Sequence, residues 1–223
     1  WAAVSGNIAT GTNKKAAAAS PNTLTTLTVV SGTNTVLFLL LGYSITNPSV
    51  QVVTWNTTET MTKVAQYTAA SKMLEVWALV NPTTGNNTIS VAWTGGGSVS
   101  ILAFEMSDVN QTTPTVSAHD STATGTGTTS SVTVTSASTD ATVAVAENTT
   151  QFYTTQTQTL IANQGTGAIA LIGSLALAGT SDQHDFGSPS ATWIALGVHV
   201  LSASAVATAP LQSGSGFLGA IIK

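Results

Sequence analysis

The chain contains no cysteine and no arginine. Without thiols there are no disulfides, no thiolate zinc sites and no cysteine nucleophile. The compartment stays open, because a chain of 223 residues buries enough surface to fold without such staples. Positive charge is limited to Lys14, Lys15, Lys63, Lys72 and Lys223, and the net charge is −4. Nucleic acid is excluded as a partner, since phosphate contacts need clustered Lys or Arg. Charged residues are 6% of the total, against an ordinary quarter. No apolar run reaches the length of a membrane span. The longest, Val36-Leu37-Phe38-Leu39-Leu40-Leu41, has the length of a buried strand. Segments of helical period are missing too. The chain begins at Trp1 and not Met, consistent with removal of a leader or trimming.

What is present is threonine, close to a fifth of the chain, mixed with Val, Ala and Ser. β-Branched residues fit a pleated surface, and Thr suits its wet side. A surface built from Thr, Ser, Asn and Gln makes little use of charge. That points to an extracellular, cell-surface or virion-surface protein.

The pattern predicts strands separated by turn residues. Thr23–Val30 alternates. Thr35–Ser44 and Met73–Val80 are apolar on both faces and read as central strands. Ser49–Trp55 and Thr60–Tyr67 flank Asn56-Thr57-Thr58 as a hairpin, and Thr88–Trp93 and Val99–Met106 follow. Thr122–Thr129, rich in Thr and Gly, reads as a loop. Ser131–Ser136, Ala141–Ala146, Thr154–Ala162 (an edge), Ala168–Ala178 and Thr192–Ser202 complete the set. The expected fold is all-β, a two-sheet antiparallel β-sandwich of jelly-roll type with extended terminal arms. Residues 1–22 form an amino-terminal arm, with a helical turn at Ala16–Ala19. Residues 23–206 form the sandwich, and 207–223 an apolar tail.

Certain stretches carry a resemblance. Met73-Leu74-Glu75-Val76-Trp77-Ala78-Leu79-Val80-Asn81-Pro82 runs on to Gly85 and Thr88-Ile89-Ser90-Val91-Ala92-Trp93. Val109-Asn110-Gln111-Thr112-Thr113-Pro114 and Trp193-Ile194-Ala195-Leu196-Gly197-Val198 follow. Together these segments resemble a family of jelly-roll-like β-sandwich domains of secreted bacterial proteins and phage virion surface proteins. Asn110 stands where that family has Asp. The resemblance spans roughly Thr23 to Ser202 and implies a sandwich without a catalytic residue.

Candidate chemistry is sparse. His119-Asp120-Ser121 has three triad residue types, but adjacency on a chain is not triad geometry. His199 sits in an apolar strand and reads as a core histidine. Asp182-Gln183-His184-Asp185 is the densest ligand-like cluster. As a loop, its Asp182, His184 and Asp185 are a weak Ca²⁺ candidate without any EF-hand pattern, and no other cofactor is expected. Glycoside hydrolysis needs two carboxylates from Glu59, Glu75, Glu105, Asp108 and Glu147, and spacing assembles no pair. Gly214–Gly219 matches a dinucleotide fingerprint but has no room for a following helix. Trp77 and Trp193 read as core. Trp55 and Trp93 end strands beside turns and are candidate glycan platforms. Asn56, Asn86, Asn110 and Asn148 lie in sequons and are candidate glycosylation sites.

The ends carry the leading expectation. The arm at 1–20 and the tail Phe217-Leu218-Gly219-Ala220-Ile221-Ile222 are each too poor in residues to order themselves. Docking on copies of the same chain through Trp1, Phe217, Leu218, Ile221 and Ile222 would bury them. The expected function is a non-enzymatic structural subunit of an extracellular filament, surface layer or virion. The alternative is a glycan-binding or adhesive module that takes cell-surface glycans.

Overall fold

The computed structural model describes residues 5–7, 14–17, 20–44, 49–95, 97–149, 152–166, 169–177 and 179–203. The assembly contacts expected at Trp1, Phe217, Leu218, Ile221 and Ile222 lie outside them. Among the described residues there are strands, turns and one 3-10 turn at Ser117–His119. None forms a helix long and apolar enough to cross a membrane.

The expected all-β antiparallel sandwich is observed, but it is built from three sheets where two were expected. The central sheet contains β1 (Ser5–Asn7), β2 (Lys14–Ala17), β4 (Val36–Tyr43), β7 (Thr62–Ala69), β8 (Lys72–Val80) and β10 (Val99–Ser107), in the order β1-β10-β4-β8-β7 with β2 also on β10. The amino-terminal sheet contains β3 (Asn22–Val29), β5 (Ser49–Trp55), β6 (Glu59–Thr60) and β9 (Gly85–Thr94), in the order β3-β9-β5-β6. The carboxy-terminal sheet contains β11 (Ser121–Thr135), β12 (Ala141–Asn148), β13 (Thr155–Gln156), β14 (Thr159–Thr166), β15 (Ile169–Leu177) and β16 (Ser181–Val200). Its order is β11-β16-β12-β15-β14, with β13 also on β16.

Strand period explains why there are three layers. Successive side chains point to opposite faces. Every residue of β4 is apolar or Gly, so both of its faces need cover. Phe38 and Leu40 pack with Leu102, Phe104, Val143, Val145, Leu171 and Leu196 against the carboxy-terminal sheet. Leu37, Leu39 and Leu41 pack with Leu24, Leu27, Val53, Trp55, Ile89 and Val91 against the amino-terminal sheet. The run that reads as one buried strand thus serves two cores. Each large side chain so buried contributes about 1.5–3 kcal/mol before ordering costs.

Four local expectations are corrected. Ala16–Ala19 gives no helical turn at its start, because Lys14–Ala17 pairs with Val99–Leu102. Ser5–Asn7 pairs with Glu105–Ser107, so these two stretches of the arm complete the chain's own sheet. The expected hairpin after Trp55 keeps only Glu59 and Thr60 as return partners; the chain then crosses at buried Met61 into the central sheet. The Thr/Gly-rich segment at 122–129 is the first half of β11, because alternation without apolar residues still makes an edge strand when a partner, here β16, supplies the hydrogen bonds.

β11 and β16 form a long ribbon whose register shifts between Gly127 and Thr129. Gly127 has φ +149°, which favours glycine, and Pro189, which has no N–H to give, lies opposite the shift. Beyond this corner the ribbon folds over the outer face of its own sheet. Val132 and Phe186 pack there with Tyr153, Ala144, Ala146, Ala170 and Ile172. A methyl group added at Gly197 would overlap the Val134 side chain, so glycine permits the close approach.

Candidate functional site

The folded ribbon carries two polar arrays to the outer face of the carboxy-terminal sheet. The strand pairing sets their positions. Thr142 of β12 lies opposite His199 of β16, and the folded-over part of β16 brings His184 back onto the same face.

The first array is buried at Thr142, Ser174 and His184, with Asp182 half-buried at its edge. The Thr142 hydroxyl donates to Asp182 Oδ2 at 2.9 Å and lies 2.9 Å from His184 Nε2; Ser174 Oγ lies 2.7 Å from His184 Nδ1. A hydroxyl has one proton, and that of Thr142 is committed to Asp182. His184 therefore donates from Nε2 to Thr142, and its bare Nδ1 accepts from Ser174. Burial pushes the imidazole down to about 4, outweighing Asp182 and Asp185, so it is neutral at physiological pH. Ser174, Thr142 and His184 have no exposed surface, and the array ties the folded ribbon to the sheet.

The second array runs from the interior to solvent. Asp140 Oδ1 accepts from the Ser202 N–H at 2.8 Å, and Oδ2 lies 2.7 Å from His199 Nε2. Burial acts to raise the Asp140 carboxyl, but the bonds from Ser202 and His199 outweigh it and hold the group below its ordinary value. His199 Nδ1 lies 2.8 Å from Nδ1 of His119, which is exposed on the 3-10 turn. The two rings are 3° from parallel with centroids 5.0 Å apart. Two ring radii added to the nitrogen–nitrogen distance nearly make up that separation. The rings are therefore coplanar and meet edge to edge, joined by an in-line N–H···N bond. Asp120, next in the chain, is half-buried; burial raises its carboxyl to about 6, and its Oδ1 has no partner among the described residues.

The other candidate residues are placed as follows. Strand pleating puts Asp182 and His184 on the face toward Thr142, whereas Asp185 accepts from Gln183 on the opposite face. The three do not converge, and among the described residues no group of three ligands could hold a metal. Trp55 is fully buried, with Nε1 donating to the Thr83 carbonyl, and Trp93 is buried as well. Both face the amino-terminal core because their strands pleat inward at the turn, so neither is a surface platform. Trp77 is buried, while Trp193 is half-buried beside Gly125. Asn86 is exposed; Asn56 and Asn110 are half-buried, and the Asn110 side chain caps the N–H groups of Thr112 and Thr113. Asn148 is fully buried in β12, which closes that sequon in the folded chain.

The glutamates do not pair. Glu75 lies between the central and amino-terminal sheets, accepting from Tyr43 Oη, Trp77 Nε1 and Lys63 Nζ at 2.9–3.0 Å. Glu105 accepts from the Val30 N–H, and Glu59 from the Thr83 N–H. Glu147 is fully buried between the central and carboxy-terminal sheets. Its Oε2 accepts from the Tyr43 N–H, Oε1 has no partner among the described residues, and burial raises it well above its ordinary value despite Lys72. A cleft of about 260 Å³ opens between β7, β8 and the 111–114 segment, lined by Thr60, Thr62, Val64, Gln111, Thr112 and Pro114 among others, with no titratable side chain. His119 and His199 stand out in the sequence only separately. Their pairing, and the parts played by Asp140, Thr142 and Ser174, leave no local signal. No protein-family model, curated protein or solved structure matches this chain.

Proposed function

We propose that the protein is a non-enzymatic structural subunit that assembles with copies of itself, in an extracellular, cell-surface or virion-surface setting. The observation that carries this reading is β11. Among the described residues it is the last strand on its side of the carboxy-terminal sheet, fifteen residues long, with no charge and no proline. Soluble proteins ordinarily blunt such edges with lysine, proline or short length. The edge strand β7 follows that rule, with Lys63 exposed and a bulge beside it. β11 has only the bend at Gly127, which leaves two straight runs with their outer backbone groups turned away from β16. A strand from a second copy satisfies those groups.

The arrays described above support the non-enzymatic part. The hydroxyl–imidazole array at Ser174 is closed to substrate, and among the described residues the array that reaches solvent has no hydroxyl hydrogen-bonded to His119 or His199. The burial of Trp55 and Trp93 takes away the feature on which a glycan-binding module rested.

The test is sedimentation and electron microscopy of three proteins: the full chain, a Thr122→Lys/Thr126→Lys variant, and a chain lacking 211–223. Thr122 and Thr126 are exposed, so lysine there leaves the fold intact, as an unchanged β-sheet spectrum would show. The full chain assembles, and the lysine variant stays monomeric. Loss of assembly on deleting 211–223 would add the tail to the interface. A full chain that stays monomeric at high concentration, or assembly indifferent to both changes, overturns the proposal.

A further inference from the structure

The segment from Asp108 to Asp120 links the central sheet to the carboxy-terminal one, running beside the end of β16. Backbone bonds hold its first part: Asn110 N–H to the Leu201 carbonyl, Leu201 N–H to the Pro114 carbonyl, and Val116 N–H to the His199 carbonyl. Its last part, the Ser117–His119 turn, has no buried residue. What ties this turn to the sheet through a side chain is the bond between His119 and His199.

Proton counting sets the condition for that bond. Asp140 as a carboxylate only accepts, so His199 carries a proton on Nε2. One of the two facing Nδ1 atoms must then carry a proton and the other must be bare. The pair has four ring nitrogens and keeps its bond with at most three protons, one net positive charge, which the Asp140 carboxylate balances. A fourth proton places N–H against N–H and a second positive charge beside the first. His199 is buried and held by Asp140, whereas His119 is exposed, so His119 is the partner that leaves.

We infer that Asp140, His199 and His119 form an acid-opened latch, which holds the Ser117–Asp120 turn on the sheet at neutral pH and frees it when both imidazoles are charged. Asp140 is the titratable group bonded to the pair, and Asp120 follows His119 in the chain. Asp182 and His184 lie further along the same face, reached through Thr142, and Asp108 stands at the start of the segment. Glu147 is on the inner face of β12 and points away between the sheets. Asp120 loses its charge in acid, which favours its half-buried position and opposes opening. The latch must therefore be read at the turn itself and not from overall stability. Opening leaves the Asp140–His199 contact as a charged pair, so the Ser202 N–H stays bonded to Asp140. The inference is independent of the assembly proposed above.

The experiment is nuclear magnetic resonance on the full chain, compared between about pH 8 and about pH 5. A scalar coupling across the Nδ1–H···Nδ1 bond is expected at the upper end and is lost at the lower. Over the same range the His119 and Asp120 amides, corrected for the intrinsic pH dependence of exchange, become at least about tenfold less protected, against a local opening cost of roughly 1.4 kcal/mol per factor of ten. The Ser202 amide keeps its protection, which separates local release from general unfolding. In His119→Gln the turn loses no protection on acidification, and the neutralisation of Asp120 only adds to it. Absence of the coupling at neutral pH, equal protection across the range in the native chain, or a step that persists in His119→Gln overturns the inference.

Discussion

Replacing His184 with Gln should remove most of one acid-sensitive step in the stability of this protein. His184 has no exposed surface, and burial lowers it from 6.5 to about 4. The unfolded chain takes up a proton near the ordinary value, while the folded chain resists it. Between the two values the unfolded state binds more protons, so stability falls as pH falls. The contribution is complete above about pH 6.5 and is lost progressively toward pH 4. A shift of roughly 2.5 units at 1.36 kcal/mol each comes to about 3 kcal/mol. The glutamine amide would still donate to Thr142 and accept from Ser174, so the variant keeps the ties of the ribbon without the titration. Urea unfolding of both proteins at about pH 7 and pH 4 measures the effect. The titrations of Asp140, Asp120 and Glu147 are common to both proteins and cancel in the comparison. The native chain should lose about 3 kcal/mol more than the variant on acidification. A difference under about 1 kcal/mol would refute the reasoning, since one pKa unit is the least that such burial implies.

Three further outcomes are expected. Gly197→Ala should lower stability by about 1–3 kcal/mol, because the new methyl meets Val134 where the ribbon lies on the sheet; thermal or urea unfolding checks it. Glu147→Gln should leave stability unchanged in acid and raise it as pH rises, because the buried carboxyl resists ionisation in the folded state and the amide has no charge to resist; unfolding at three pH values shows the divergence. Asp120→Asn should behave in the same direction over a lower range. The carboxyl is raised to about 6, so its cost is complete above that pH and absent below its ordinary value, and the variant gains stability as pH rises through that interval, which the same unfolding series reads.

The sequence makes the strands legible where apolar residues alternate or run together. β4, β8, β10, β12 and β15 fall close to the positions that their patterns predict. The number of layers is legible only in retrospect. Leu37 and Phe38 look alike in a run of apolar residues, yet one serves each core. The first half of β11 is hidden because Thr and Gly carry no burial signal, and its partner is distant: Thr126 meets Thr192, 66 residues further on. Polar composition makes Asp182–Asp185 read as a loop, whereas pairing with β11 makes it strand and sends its side chains to opposite faces. Trp55 and Trp93 stand next to turns, but pleating at the strand end decides their side. The His119–His199–Asp140 array joins residues 80 and 59 positions apart, and no local spacing encodes such a contact.

The order of the sheets along the chain has a consequence for synthesis. Among the described residues, all strands of the central and amino-terminal sheets come before Asp108, and all strands of the carboxy-terminal sheet after Asp120. When the ribosome has delivered the first half, Leu37, Leu39 and Leu41 already have their cover. Phe38, Leu40, Leu102 and Phe104 have none until β12, β15 and β16 emerge. For that interval the nascent chain presents a broad greasy face whose proper lid does not yet exist. This is the condition in which chains clump or recruit chaperones. A fragment ending near Ser107 would be held permanently at that stage, and the intact protein passes through it once in every round of translation.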